Sequence, residues 1–425
     1  MYARVPTAAK RLADYEQVAG AQEIAALRDL AASLRGARVL HLTATAFGAG
    51  APEELTALVP LMNDLGLDAE WQVVRGGGEF ARVNKAIANA LGGLKVGAVP
   101  PLLDVWMRYS AMNAGLFDGE YDFVVVHDPQ PAGIRSLLEQ AQGRPPLGKW
   151  IWRCHIDLTA AQPEVWRLLC SHLDCCYDGA IFAAAEYVRK DLDVPRVVVI
   201  PPAIDPLGAK NMEVDASTRR LIVERYGVDP RRPVICQIAR FIKWSDPIGV
   251  IDAYRLAKKE VAGLQLILVW TMPAATAENW LHFQRVAAHA GNDQDIHLLS
   301  NLNEVGNVEQ NVFQRASRLV VHRSQRKGFA STVAEASWKG RPVVAGRIGI
   351  MPGQVVDGHT GYVVDTIEQT ADRIVRLLKD RPLGERMGRA GHEHVRRHFL
   401  ITRALRDHLA LFADLREGRT ATAGA

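Results

Sequence analysis

Arg240 follows an apolar run at residues 234–239, and a guanidinium at the carboxyl end of a strand can take two phosphate oxygens with its planar fork. Gly48-Ala49-Gly50 lies between an apolar run at 37–43 and the helix start Pro52-Glu53-Glu54. In such a loop, backbone N–H groups can come close to a phosphate. His127-Asp128 closes the apolar run 121–126, and His155 and Asp157 lie in the segment Trp150-Ile-Trp-Arg-Cys-His-Ile-Asp-Leu158. Polar residues that end apolar strands face the ligand-binding edge of an α/β sheet. Gly328-Phe329-Ala330 and Thr332 open a helix behind the run 319–321, where free N–H groups and the helix dipole favour an anion, and Glu335 stands on that helix.

These residues need a particular frame. Residues 319–345 read as strand, loop, helix and strand, the unit of a parallel sheet. Phe329, Thr332, Val333, Ala336 and Ser337 share one helical face, and Lys339-Gly340 closes the helix. The same rhythm fills the chain. Amphipathic helices span 8–35, with strands expected at 37–43, 68–74, 121–126, from 150, at 175–183 and at 197–200. Gly76-Gly77-Gly78 opens a helix carrying Phe80, Val83 and Ile87, and 91–118 is expected to be helical. Pro201-Pro202-Ala203-Ile204-Asp205-Pro206 then breaks the pattern as a hinge would. Strands follow at 234–239, 264–270, 296–299 and 361–364, alternating with helices at 248–258, 278–290 and 308–316, and helices run from 366 to about 415. The fold class is α/β, in two domains.

The 425 residues exceed one ordinary core, and 48% hydrophobic with 23% charged residues suits a soluble globular protein. A net charge of +4 from 51 basic and 47 acidic residues leaves no nucleic-acid footprint. The arginines of 384–406 alternate at helical spacing, as on a solvated helix face. No apolar run reaches the ~18–20 residues a membrane span needs. The first twenty residues carry charges without an apolar core, so no signal peptide is expected and the expected location is cytoplasmic. Five cysteines suit reduced, buried thiols. Cys170, His172, Cys175 and Cys176 lack a second cluster to complete a tetrahedral zinc site, so no metal site is expected.

The string Gly-Phe-x-x-Thr-Val-x-Glu-Ala-x-Trp-Lys-Gly-x-Pro-Val at 328–343 resembles the donor-site signature of retaining GT-B glycosyltransferases of family 4. His-Asp-Pro-Gln-Pro at 127–131 and Trp-Arg-Cys-His-Ile-Asp-Leu at 152–158 resemble their trehalose glycosyltransferring synthase branch, and the likeness spans residue 8 to about 415. It implies a GT-B fold: two doubly wound Rossmann-like domains facing across a cleft. Residues 1–203 would form the acceptor-side domain, and 204–399 the nucleotide-sugar donor domain. A C-terminal helix at about 400–420 would pack back on the first. The implied reaction moves a hexosyl unit, with retention, from a nucleoside diphosphate sugar to a small polyhydroxy acceptor, glucose to trehalose in the nearest kin. Front-face attack, in which the departing diphosphate takes the acceptor proton, leaves the protein positioning and charge stabilisation. No cofactor is required, Mg²⁺ is optional, and homodimers are common among such enzymes.

Carried over by the resemblance, Arg240 stabilises the leaving diphosphate, His155 orients the donor sugar, and Glu335 holds the ribose. Gly48, Ala49, Gly50, Lys243, Ser245, Asn301, Leu302, Lys327, Gly328, Phe329, Ala330 and Thr332 fall at donor-binding positions, and His127, Asp128 and Asp157 on the acceptor side. Several positions depart from the family. Ala49 replaces a glycine, Ser245 a lysine that would share the diphosphate with Arg240, and Gly349-Ile350 a glycine pair ahead of Gln354. Lys327 replaces a sugar-binding glutamate, and an ammonium can only donate. Three readings follow: Lys327 grips hydroxyls or a carboxylate on an unusual donor, it leans to the diphosphate in place of the missing cation, or the site binds without catalysing. The alternatives to a trehalose-type enzyme are thus a specialised-metabolite transferase handling an amino- or pseudo-sugar and a non-catalytic nucleotide-sugar binding homologue.

Overall fold

The computed structural model describes residues 2–48, 50–240, 243–271, 277–325 and 328–418, without the side chains of Arg240, Lys243, Ala277 and Glu278. The chain divides into two compact units: residues 1–203 with 401–425, and residues 204–400.

The first unit holds β1 (Ala3–Arg4), β2 (Arg38–Thr43), β3 (Asp68–Val73), β4 (Phe123–His127), β5 (Lys149–Cys154), β6 (Gly179–Phe182) and β7 (Val197–Val199). They form one sheet in the order β1-β3-β2-β4-β5-β6-β7, parallel except at β1, which pairs antiparallel with β3. β1 is too short to show a period, and sequence patterning passes over it. β4 is buried throughout and β5 beyond its first residue, as helices on both faces of a parallel sheet require. The helices Ala51–Asp64 and Ile401–Arg416 share one layer and one core, in which the Phe412 ring stacks on Phe123 with centroids 4.5 Å apart. The weakly patterned stretch after 91 contains the helix Val99–Ala114, started by Pro100-Pro101.

The second unit holds β8 (Val234–Arg240), β9 (Gln265–Thr271), β10 (Ile296–Ser300), β11 (Leu319–His322), β12 (Val343–Gly346) and β13 (Gly361–Val364), all parallel, in the order β10-β9-β8-β11-β12-β13. This is the doubly wound dinucleotide-type order, with the reversal between β8 and β11. In the first sheet the reversal lies between β2 and β4. Chain direction therefore places His127, His155, the glycine loop and the Gly328 loop at carboxyl ends of strands. Among the described residues no helix is long and apolar enough to cross a membrane. The cysteines are free, with Cys154, Cys170 and Cys236 buried. Cys175 departs from the expected buried thiol: it caps the helix Pro163–Asp174, where the chain turns into solvent.

The helix Arg381–His398 lies so close to the end of the helix Ser331–Trp338 that a Cβ on Gly388 would sit 2.0 Å from the Gly340 carbonyl oxygen. Alanine would gain about 1 kcal/mol of helix propensity, but overpacking against backbone costs about 1–3 kcal/mol. The clash wins. Gly388→Ala is expected to destabilise the chain by about 2 kcal/mol in denaturant titration, and a neutral or stabilising result would show that the two helices can part without cost.

Candidate active site

In the first unit, a buried ion pair ties the glycine loop's helix to the sheet. Arg153, on β5, donates through Nη2 to both carboxylate oxygens of Glu54, at 3.2 and 3.0 Å. The two residues are 1% and 5% exposed, so the pair is well shielded from solvent. Glu54 occupies the first turn of the helix Ala51–Asp64, a favourable place for a carboxylate. Ahead of it, Gly48 and Gly50 have φ of 104° and 94°, values glycine accepts without strain. Thr43 and Thr45 shape the approach: Thr43 Oγ1 donates to the Thr45 carbonyl and Thr45 Oγ1 to that of Phe47. Ala49 lies outside the described residues.

Asp128 sits just past β4 with φ 63°, a left-handed conformation that aspartate tolerates. Its Oδ1 accepts from the His155 backbone N–H at 3.0 Å, its own N–H donates to the Arg153 carbonyl at 2.8 Å, and its carbonyl accepts from the Trp152 indole at 3.0 Å. These bonds fix the exit of β5 against that of β4. Burial raises the Asp128 carboxyl to about 6, against the opposing pull of the His155 N–H and the Arg153 charge. Asp157 Oδ1 accepts from the Thr159 N–H and hydroxyl at 2.8 and 2.6 Å, turning the loop away from β5.

Beneath these groups runs a row of histidines. His155 Nε2 lies 3.3 Å from His127 Nδ1, and His127 Nε2 lies 3.0 Å from His41 Nδ1. The His408 ring stands 6.4 Å from that of His41. His127 is only 2% exposed, and both ring nitrogens are engaged. Burial holds all four imidazoles well below their ordinary range, His41 to about 3. His41 and His408 are not in the expected site. The available signal for His41 is a histidine inside the apolar run Val-Leu-His-Leu at 39–42; His408 lies in an amphipathic helix at 401–416 that also carries arginines and aspartates, and nothing local marks it.

In the second unit, Gln354 grips the loop before the helix Ser331–Trp338. Its Oε1 accepts from the Ala330 N–H at 2.9 Å, and its Nε2 donates to the Ala330 carbonyl at 3.0 Å. Phe329 packs on Phe399, and Gly328 takes φ 138°. The Thr332 carbonyl accepts from Gln314 at 3.0 Å. Glu335 is 4% exposed, with Lys210 Nζ 3.9 Å from its Oε1. Lys339 Nζ donates to Asn211 Oδ1 and Gln314 Oε1, both at 2.8 Å, and to the Glu335 carbonyl at 3.0 Å. Burial brings the Lys339 ammonium down to about 7, against the opposing pull of Glu335. Lys210, Lys339 and Gln314 lie far apart in sequence, and no local pattern announces that they meet.

Ser245 is buried, and its carbonyl accepts from Gln237 Nε2 at 2.6 Å. Asn301 and Leu302 form an exposed turn after β10. Lys327 and the side chains of Arg240 and Lys243 lie outside the described residues. Beside these loops, a cavity of about 240 Å³ is lined by Asp246, Arg323, Gln325, Gly346, Arg347 and Asp365 among others, with Arg323 Nε 2.9 Å from Asp246 Oδ2. Among the described residues no group of three or more His, Cys, Asp or Glu side chains could hold a metal ion.

Residues 41–189 match the family described as "Trehalose synthase, N-terminal domain", and residues 218–394 that described as "Glycosyl transferases group 1". Among solved structures, trehalose-6-phosphate synthase OtsA aligns with TM-score 0.70 at 14% identity, over 89% of this chain and 99% of that one. Anabaena HepE, solved in complex with UDP-glucose, aligns with TM-score 0.61 at 14% identity over the same shares. Fold and matched families define a GT-B glycosyltransferase. A trehalose synthase from Rubrobacter xylanophilus is 42% identical over 418 residues, 98% of this chain and 99% of that one. The chain belongs to the trehalose synthase family and is a trehalose-related glycosyltransferase.

Two outcomes are expected. His41 binds a proton in the unfolded chain near pH 6.5 but in the folded chain only near 3. Stability is therefore complete above pH 6.5 and falls as the pH drops below it, by about 1.4 kcal/mol per unit for each such ring. His41→Asn should flatten this slope in unfolding titrations between pH 4 and 6.5; an unchanged slope would mean that His41 titrates alike in both states. Gln354→Ala should cost about 1 kcal/mol by taking the acceptor from the half-buried Ala330 N–H, whose carbonyl still accepts from Val333 N–H, and raise the donor KM more than it lowers kcat. A kcat effect alone would place the role of Gln354 elsewhere.

Proposed function

We propose that the chain transfers a hexosyl group, with retention, from a nucleoside diphosphate sugar to a small polyhydroxy acceptor, forming a trehalose-type product. The observation that carries this reading is His155, held at the carboxyl end of β5 with Nε2 committed to His127, while no described residue takes its Nδ1. A half-buried imidazole nitrogen at the carboxyl end of a parallel sheet can serve a sugar hydroxyl. The complex of the fold relative HepE with UDP-glucose supports a nucleotide-linked donor.

In this reading Arg240 and a neighbouring cation, Lys243 or Lys327, stabilise the departing diphosphate, and the N–H groups at the start of the helix Ser331–Trp338 add to that field. Glu335, steadied by Lys210, receives the ribose hydroxyls. Asp128 and Asp157 set the acceptor-side loops, and His127 acts through His155. Residues 1–203 serve the acceptor and 204–399 the donor. Chemistry follows from positioning and charge rather than from a covalent intermediate. Lys327 and Ser245 favour a second donor reading, an unusual sugar whose hydroxyl lone pairs or carboxylate accept from Lys327, because an ammonium replaces a hydroxyl acceptor and a neutral side chain replaces a cation.

Incubation with a panel of nucleoside diphosphate sugars and glucose, followed by product analysis, tests both. α,α-Trehalose from a glucose donor supports the first reading, turnover only with a modified donor supports the second, and binding without turnover for any pair overturns both. Lys327→Glu should raise turnover with glucose donors roughly tenfold or more, the worth of one charge-assisted hydrogen bond. No gain would show that Lys327 does not set donor choice.

A further inference from the structure

The histidine row carries more than support. Each ring in it is neutral and therefore has one N–H, and each N···N contact holds one proton. His127 uses both nitrogens in such contacts, so the proton positions along His41, His127 and His155 are not independent. Only two neutral patterns satisfy both contacts. In one, every ring carries its proton on Nδ1: His41 donates to His127, His127 donates to His155 Nε2, and His155 offers Nδ1–H outward. In the other, every proton sits on Nε2, the donation runs the opposite way, and His155 offers a bare Nδ1.

The inner end of the row chooses between them. His41 Nε2 is buried with no hydrogen-bond partner among the described residues. In the second pattern it would be an orphaned buried N–H, which is rarer in proteins than an unmet acceptor. In the first pattern it is a bare lone pair. The nearby Arg153 cation, whose own Nε and Nη1 also lack partners among the described residues, favours a lone pair over an N–H dipole in its field. His408 is consistent with this: its Nδ1 lies 2.7 Å from the Ala404 carbonyl, which can only accept, so its Nε2 is likewise bare.

We infer that His41 and His127 are positioning residues that hold His155 as an Nδ1–H donor, aimed at an oxygen of the sugar substrate. The inference rests on the reading of His155 as a sugar contact. The row acts at a distance: His41 touches no substrate, yet decides whether His155 donates or accepts.

Two measurements separate this inference from the reading beneath it. Imidazole ¹⁵N spectra of the full chain without ligand, at neutral pH, should show His41, His127 and His155 all protonated on Nδ1. His155 protonated on Nε2 would overturn the inference whatever the activity. Kinetics then test its consequence. His41→Phe, which fills the space without a polar atom, should lower donor kcat/KM roughly 10- to 100-fold, as small misplacements at a site do. It should also mix the His155 tautomers, with the fold retained by circular dichroism. His41→Asn, whose amide reaches the place of Nδ1, should recover most of the loss. Should His41→Phe fail to fold, the wild-type spectrum and His41→Asn still decide. If the tautomers are as expected but His155→Ala leaves turnover intact, the sugar-contact reading fails and the positioning role falls with it.

Discussion

Parallel pairing is the constraint on which everything else in this chain rests. When every inner strand of a sheet runs the same way, all carboxyl ends fall on one edge, and loops that share no sequence neighbourhood are brought side by side. His41, His127 and His155 come from three separate stretches, yet β2, β4 and β5 are adjacent in register, with His127 opposite Arg153 across one ladder. The second sheet does the same for the loops after β8, β11 and β12.

That edge is held by polar groups inside the protein, an arrangement with a cost. Burying Arg153 and Glu54 takes two charges out of water, and a hydrophobic pair could be as stable or more so. Retaining the pair makes sense where the glycine loop must leave the sheet at a set angle and a positive field must lie beneath a row of neutral imidazoles. In the second unit the same logic applies to Lys339, a buried ammonium with three oxygen partners. It pins the residues around Asn211 to the helix that carries Glu335. Both cases spend desolvation to place a neighbour.

The departures from the family signature stand against a scaffold that is largely kept. The loop framework survives: Gln354 holds Ala330 by both backbone groups, and Gly388 and Gly340 let the supporting helix close in. Of the four departures, those at Lys327 and Ser245 alter charge, and those at Ala49 and Gly349-Ile350 do not.

Much was legible in the chain alone. Apolar runs broken by glycine and proline announced α/β units, and the strings at 127–131, 152–158 and 328–343 announced the family and most candidate contacts. Those are local signals, written in neighbours. Strand order, the short edge strand at Ala3–Arg4, the Arg153–Glu54 pair and the Lys339 cluster were not legible, because their partners lie up to more than a hundred residues away. Nothing local links His41, in an apolar strand, to His408, in an amphipathic helix; only packing makes them part of a row. Residue types and local spacing decided which chemistry the chain carries. The tertiary structure decided which groups share protons and charge, because hydrogen bonds and fields depend on distance in space, not on position along the backbone.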